Sequence, residues 1–110
     1  MLRFLGAAAL MLAAGLVAAQ APYPSKPIRI VTSAPGSNND WGARLVGDAI
    51  STSLGQRVLV DNRGGLAVDV VAKSPPDGYT IIFYGPAAWT QQLFRETSVD
   101  PLRDLSLIHI

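Results

Sequence analysis

Three short runs of β-branched and aliphatic residues, Ile28-Arg29-Ile30-Val31-Thr32, Val58-Leu59-Val60 and Thr80 through Tyr84, alternate with segments patterned as helices. Strand, helix, strand, helix, strand joined by short loops is the pattern of a parallel sheet with right-handed crossovers. An α/β fold built from βα repeats is therefore expected. Pro27 bounds the first strand, and Ser33-Ala34-Pro35-Gly36-Ser37-Asn38-Asn39 is dense in turn formers. A helix is predicted from Asp40 to about Leu54, with Asn38 or Asn39 as its N-cap. Leu45, Ala49 and Ile50 would form its apolar face, with Trp41 and Leu54 near the ends and Gly55 stopping it. Residues 66–73 read as a short second helix, closed by Ser74-Pro75-Pro76-Asp77-Gly78. Residues 89–94 read as one or two helical turns. Trp41 and Trp89 are both expected to pack rather than to stack on a ligand.

The first 19 residues do not belong to this pattern. Met1-Leu2-Arg3 is a short positive start, and residues 4–19 are unbroken apolar or small. Val17-Ala18-Ala19 then supplies a small-residue exit, so residues 1–19 read as a secretory signal peptide cut after Ala19. The apolar run is shorter than the ~20 residues that a membrane span requires, which argues against an uncleaved anchor. With Arg3 removed, basic and acidic residues balance, from nine and eight in the whole chain. No basic stripe is available for phosphates, so nucleic acid is not an expected partner. The chain has no cysteine, so neither disulfides nor a thiolate metal site can hold it together.

In open parallel sheets, ligands sit at the carboxyl ends of the strands. Three glycine-bearing loops leave those ends: 33–39, 62–65 and 85–88. The first two are read as running into helix N-termini, where free amides and the helix dipole suit an anion. Taken singly, each reads first as an ordinary βα turn and only the three together point to a site, while Asp40 at a helix start is explained by capping alone. Chemistry finds less support. The single histidine, His109, stands outside every loop of interest. No G-x-S-x-G elbow, G-x-G-x-x-G or Walker lysine is present. Asp40, Asp61, Asp69 and Asp77 are too scattered to nominate a carboxylate pair. No cofactor, metal or catalytic residue is predicted.

Further motifs carry a resemblance. Tyr23-Pro24-Ser25-Lys26-Pro27-Ile28-Arg29 resembles the mature start of the Bug-type receptors of tripartite tricarboxylate transporters. Ala34-Pro35-Gly36 with Asp40 and Ala43-Arg44-Leu45 resembles that family's first loop and helix. Leu54-Gly55-Gln56, Val60-Asp61-Asn62-Arg63, Val71-Ala72-Lys73, Pro76-Asp77-Gly78-Tyr79-Thr80 and Asp100-Pro101-Leu102-Arg103-Asp104 follow in family order.

The resemblance implies a two-lobed, flytrap-like (type II) periplasmic-binding-protein fold. It implies a periplasmic receptor that closes on a small carboxylate and delivers it to membrane subunits. Residues 20–104 would form the N-terminal part of its first lobe. The ligand carboxylate would be held largely by backbone groups, in keeping with the lack of Lys or Arg in residues 33–39. Carried over by position, the ligand-binding candidates are Ser33, Gly36, Ser37, Asn38, Asn39 and Asp40 in the first loop. Gly64 and Gly65 follow in the second, and Gly85 and Ala87 in the third. Thr32-Ser33 and Ser37-Asn38 depart from the family pattern, and the second loop is shorter than usual; both bear on ligand identity.

Leu105-Ser106-Leu107-Ile108-His109-Ile110 also matches the translation of a common sequencing-library adapter. Residues 105–110 are therefore expected to be a non-native tail on a fragment. Residues 20–110 alone are expected to be only marginally stable, because strands from a later part of the chain would complete the sheet. The rivals from other classes are an exported α/β enzyme and a binding domain that feeds a sensor.

Overall fold

The computed structural model describes residues 21–106. The signal-peptide reading and residues 107–110 of the expected tail lie outside that span.

The three strands form one parallel sheet in the order β2-β1-β3, with β1 (Ile28–Thr32) central, β2 (Val58–Asn62) and β3 (Thr80–Ile82). Ile30 stands in register with Val60 on one side and Ile81 on the other. A central strand covered on both faces should be apolar nearly throughout, and Ile28, Ile30, Val31 and Thr32 are all buried. The single hydroxyl among them is satisfied, since Thr32 Oγ1 donates to the Phe83 carbonyl at 2.8 Å. β2 runs two residues further than expected, because Arg63 N–H still reaches the Thr32 carbonyl at 2.9 Å.

Helix α1 (Asn38–Leu54) follows β1. Its N-cap is Ser37, in extended backbone, with the side chain accepting from Asp40 N–H. Neither Asn38 nor Asn39 is the cap; both lie inside the first turn. The other end is closed by Gly55, whose N–H bonds to the Ser51 carbonyl.

The buried face of α1 differs from the expected one. Asp40, Ala43 and Gly47 point inward, while Leu45 is 58% and Trp41 70% exposed. The cause is closeness of approach. A Cβ on Gly47 would lie 3.3 Å from Val58 and 3.6 Å from Ile30, and one on Gly42 would meet the Phe83 ring at 2.8 Å. Small residues let the helix axis settle onto the sheet, and the larger apolar side chains are turned outward. The packing role expected for Trp41 is therefore absent.

On the other face lie a 3-10 turn (Gly64–Leu66) and α2 (Ala67–Ala72), then after β3 α3 (Ala87–Thr90) and a second 3-10 turn (Gln91–Leu93). A last short helix, α4 (Pro101–Asp104), is capped by Asp100, which accepts from Leu102 N–H. Val68, Ala88 and Val99 form a small core here, with Ile82, Tyr84, Trp89 and Leu105 packed against it. Trp89 thus packs as expected.

The residues before β1 form an arm fastened to the turn before β3. Tyr23 Oη donates to the Gly78 carbonyl at 2.7 Å, and Ser25 N–H donates to Tyr79 Oη at 2.8 Å. The two tyrosine rings lie 4.9 Å apart, and Lys26 Nζ sits 4.4 Å above the Tyr79 ring while pairing with Asp77 at 3.4 Å. Two of the motifs found separately in the sequence are thus partners in space.

Candidate functional site: three loops at the carboxyl edge of the sheet

Because all three strands are parallel, their following loops emerge at one edge. The structure brings them together. A Cβ on Gly85 would lie 3.6 Å from Asn39 Oδ1, so the third loop touches the start of α1. Tyr84 Oη donates to the Gly64 carbonyl at 3.1 Å. Gln91 Nε2 and Arg95 Nη2 both donate to the Gly65 carbonyl, at 3.2 and 3.1 Å. The second and third loops are therefore tied as well.

The first loop is organised from within. Ser33 Oγ and Ser37 Oγ share a hydrogen bond at 2.7 Å, and Ser37 Oγ also reaches the Ala34 carbonyl at 2.7 Å. Gly36, at φ +77°, turns its N–H onto Asp40 Oδ2 at 2.9 Å. Asp40 Oδ1 receives Asn62 Nδ2 at 2.8 Å and pairs with Arg44 at 3.0 Å. This carboxylate is nearly enclosed and fully occupied, so it acts on the loop itself.

That usage decides which amides remain. Gly36 N–H serves Asp40, Ser37 N–H serves the Ala34 carbonyl, and Asp40 N–H serves the Ser37 side chain. Among the described residues, the Asn38 and Asn39 N–H groups form no hydrogen bond, as expected for the first turn of a helix. Asn38 and Asn39 are exposed and half-buried respectively.

The second and third loops are built differently from expectation. Gly64 and Gly65 lie in a 3-10 turn ahead of α2, so they do not open a long helix. The positive φ belongs to Gly64, at +56°, and not to Gly65. β3 ends at Ile82, two residues before the expected Tyr84, and Ala87 is already the first residue of α3, which leaves residues 83–86 as the loop.

Three side chains at the site carry roles that sequence alone does not reveal. Asn62, expected in a loop, ends β2 and bonds to both Asp40 and the Ser33 carbonyl, the latter at 2.9 Å. Arg44 stands in a recognisable motif that suggests no role for it. Arg95, which also pairs with Asp69 at 3.6 Å, brings a guanidinium to the second loop. Among the described residues no cluster of three or more His, Asp or Glu is suited to hold a metal ion.

The Asp40 carboxyl is held at about 2, below its ordinary 3.8, chiefly by the Asn62 hydrogen bond and then by Gly36 N–H and Arg44. A carboxyl whose folded value lies below its unfolded value stabilises the fold fully above pH ~4, and that contribution disappears as pH falls through the folded value. We expect the Asp40 carboxyl carbon to titrate by NMR with a midpoint near 2 and the Gly36 amide resonance to move with it. A midpoint at the ordinary value would show that Asn62 and Gly36 do not engage it.

Comparisons with known proteins agree with this architecture. The family model described as tripartite tricarboxylate transporter family receptor matches residues 42–110. A UPF0065 protein of Bordetella bronchiseptica is 46% identical over 87 residues, covering 74% of this chain and 26% of that protein. A second UPF0065 protein, from the TAR-I ttuE-ttuC' intergenic region of Agrobacterium vitis, is 41% identical over 97 residues, covering 82% and 28%. Protein BugT of Bordetella pertussis is 41% identical over 71 residues, covering 60% and 22%. A solved structure titled as a periplasmic transporter superposes with a TM-score of 0.52 at 42% identity, over 55% of this chain and 22% of that one. The chain thus spans roughly a quarter of the length of the relatives it matches. On the family match and the shared α/β fold, this chain belongs to the tripartite tricarboxylate transporter receptor family.

Proposed function

We propose that the chain is the ligand-loop region of a periplasmic solute receptor. It captures a small carboxylate, such as a di- or tricarboxylate or an aromatic acid, for the membrane subunits of a tripartite transporter. Its role is binding and delivery, without a catalytic step. Residues 1–19 would be removed on export.

The observation that carries this reading is the start of α1. Two backbone N–H groups, of Asn38 and Asn39, are unpaired at the positive end of a long helix, where the third loop meets it. Such donors bind an anion by charge-assisted hydrogen bonds and need no buried cation. Ser33, Gly36, Ser37 and Asp40 shape the seat, and Gly64, Gly65, Gly85 and Ala87 form its other walls. The family match and the periplasmic structural relative support the same class of protein.

Calorimetric titration of the exported protein tests the reading, using a panel of di- and tricarboxylates and aromatic acids beside their neutral amide analogues. Carboxylates should bind and the corresponding amides should not. Equal binding of acid and amide would remove the anion seat from consideration.

A further inference from the structure

We infer that Asn62 is a positioning residue that couples the first loop to the second, so that the two walls of the seat are set by one side chain. The inference rests on the binding reading above for its consequence, but not for its geometry.

Asn62 is the last residue of β2 and hands the chain directly to Arg63, Gly64 and Gly65. Its side chain nevertheless reaches into the first loop. Nδ2 donates to the Ser33 carbonyl at 2.9 Å and to Asp40 Oδ1 at 2.8 Å. Its Oδ1 accepts from Arg44 Nη2 at 3.3 Å. Both amide donors and the amide oxygen are thus in use. The other carboxylate oxygen of Asp40 holds Gly36 N–H. A continuous path therefore runs from the second loop through Asn62 and Asp40 to the left-handed turn at Gly36.

The chemistry of the side chain is specific. Aspartate at this position has no donors when ionised, and leucine of similar size has none at any pH. Asn62 also governs charge. It and Arg44 keep the Asp40 carboxylate turned into the fold and compensated, where an uncompensated carboxylate would repel an anion arriving at the α1 start.

The test is Asn62→Asp, read without ligand. The new carboxylate would face the Asp40 carboxylate across a hydrogen-bond distance, and two such groups cannot both ionise freely. The charged groups around the pair are Arg44 on α1 and, flanking Asn62 in sequence, Asp61 on β2 and Arg63 just after it. Asp61 is itself bound by Arg63 at 2.9 Å and by Arg29 of β1 at 3.5 Å. At pH 7 the Gly36, Gly64 and Gly65 amide resonances should all shift, and Gly36, whose N–H is held by Asp40, should lose protection. On acidification, one shared proton restores an O–H···O bond, and the Gly36 amide should recover with a midpoint well above that of the unmodified protein. Loss of packing alone would be independent of pH.

Amides of the central sheet, such as Phe83, report whether the variant folds. If it does not fold at pH 7, the double variant Asn62→Asp with Asp40→Asn re-forms one donor–acceptor pair and should recover the Gly36 signal. Failure of that rescue counts against the coupling. In the full receptor, Asn62→Asp should weaken carboxylate binding by about tenfold, through loop order and charge. Wild-type amide shifts at all three glycines at pH 7 would overturn the inference. An absence of carboxylate binding by the unmodified protein would instead remove the binding reading and leave the coupling standing.

Discussion

Ile30→Ala is expected to lower the free energy of unfolding by about 3 kcal/mol, within the range for deleting a buried isoleucine's outer carbons. Ile30 is fully buried at the centre of the central strand, between Val60 and Ile81, with α1 pressed against it through Gly47. The helix is already seated as close as a glycine allows, so it has little room to settle into the vacated space. For a small domain that loss is a large share of total stability. Urea unfolding of the full receptor, followed by circular dichroism, should show a clearly lowered midpoint in the variant. Ile30→Val, which removes one methylene, should remain folded and lose about 1 kcal/mol. An unchanged midpoint for Ile30→Ala would mean that the core lies elsewhere.

Gly36→Val and Gly64→Val are expected to weaken carboxylate binding by about tenfold or more each. The cause is backbone conformation alone. A Cβ at either position meets nothing within 4 Å, but φ is +77° and +56°. A left-handed conformation costs an L-residue roughly 1–2 kcal/mol, and a β-branched one more. Each 1.4 kcal/mol is about tenfold in affinity. Strain at Gly36 would be relieved by turning its N–H away from Asp40, which unmakes the first loop. Gly65→Val is the internal control. Its φ is not positive, so without backbone strain its loss should be smaller than that at Gly64, any remainder coming from bulk in the wall of the seat. Titration of the three variants against the same carboxylate panel decides the matter. Equal losses at Gly64 and Gly65 would show that bulk, not backbone strain, is what the second loop resists.

The architecture is legible in the sequence because hydrophobic period and turn chemistry are local properties. Ile28–Thr32 reads as a strand from its β-branched run alone, whereas its central place in the sheet follows from the pairing. The departures have equally physical origins. Ser, Asn and Asp cap helices with nearly equal preference, so a run of Ser37, Asn38, Asn39 and Asp40 does not reveal which one caps. The inner face of α1 departs from expectation because larger apolar residues mark a core only when the helix stands off from the sheet. Here Gly42, Ala43 and Gly47 make the contact, and small residues leave no periodic signal. At the site, the loops themselves can be found from strand ends. Their connections cannot, since Asn62 to Asp40 spans 22 positions and Arg95 to Gly65 spans 30. Which glycine carries a positive φ is likewise invisible within Gly64-Gly65.

The tyrosine-fastened arm has a practical corollary in how the protein can be handled. Tyr23 and Ser25 are pinned at the amino end of the sheet, whereas the three loops leave its carboxyl end. The five residues of β1 separate the two poles by about 16 Å at the usual rise of a strand. A surface linker or fluorophore attached ahead of Tyr23 would therefore be mechanically anchored through Gly78 and Tyr79. The loops would face away from the support, in a fixed orientation suited to immobilised sensing.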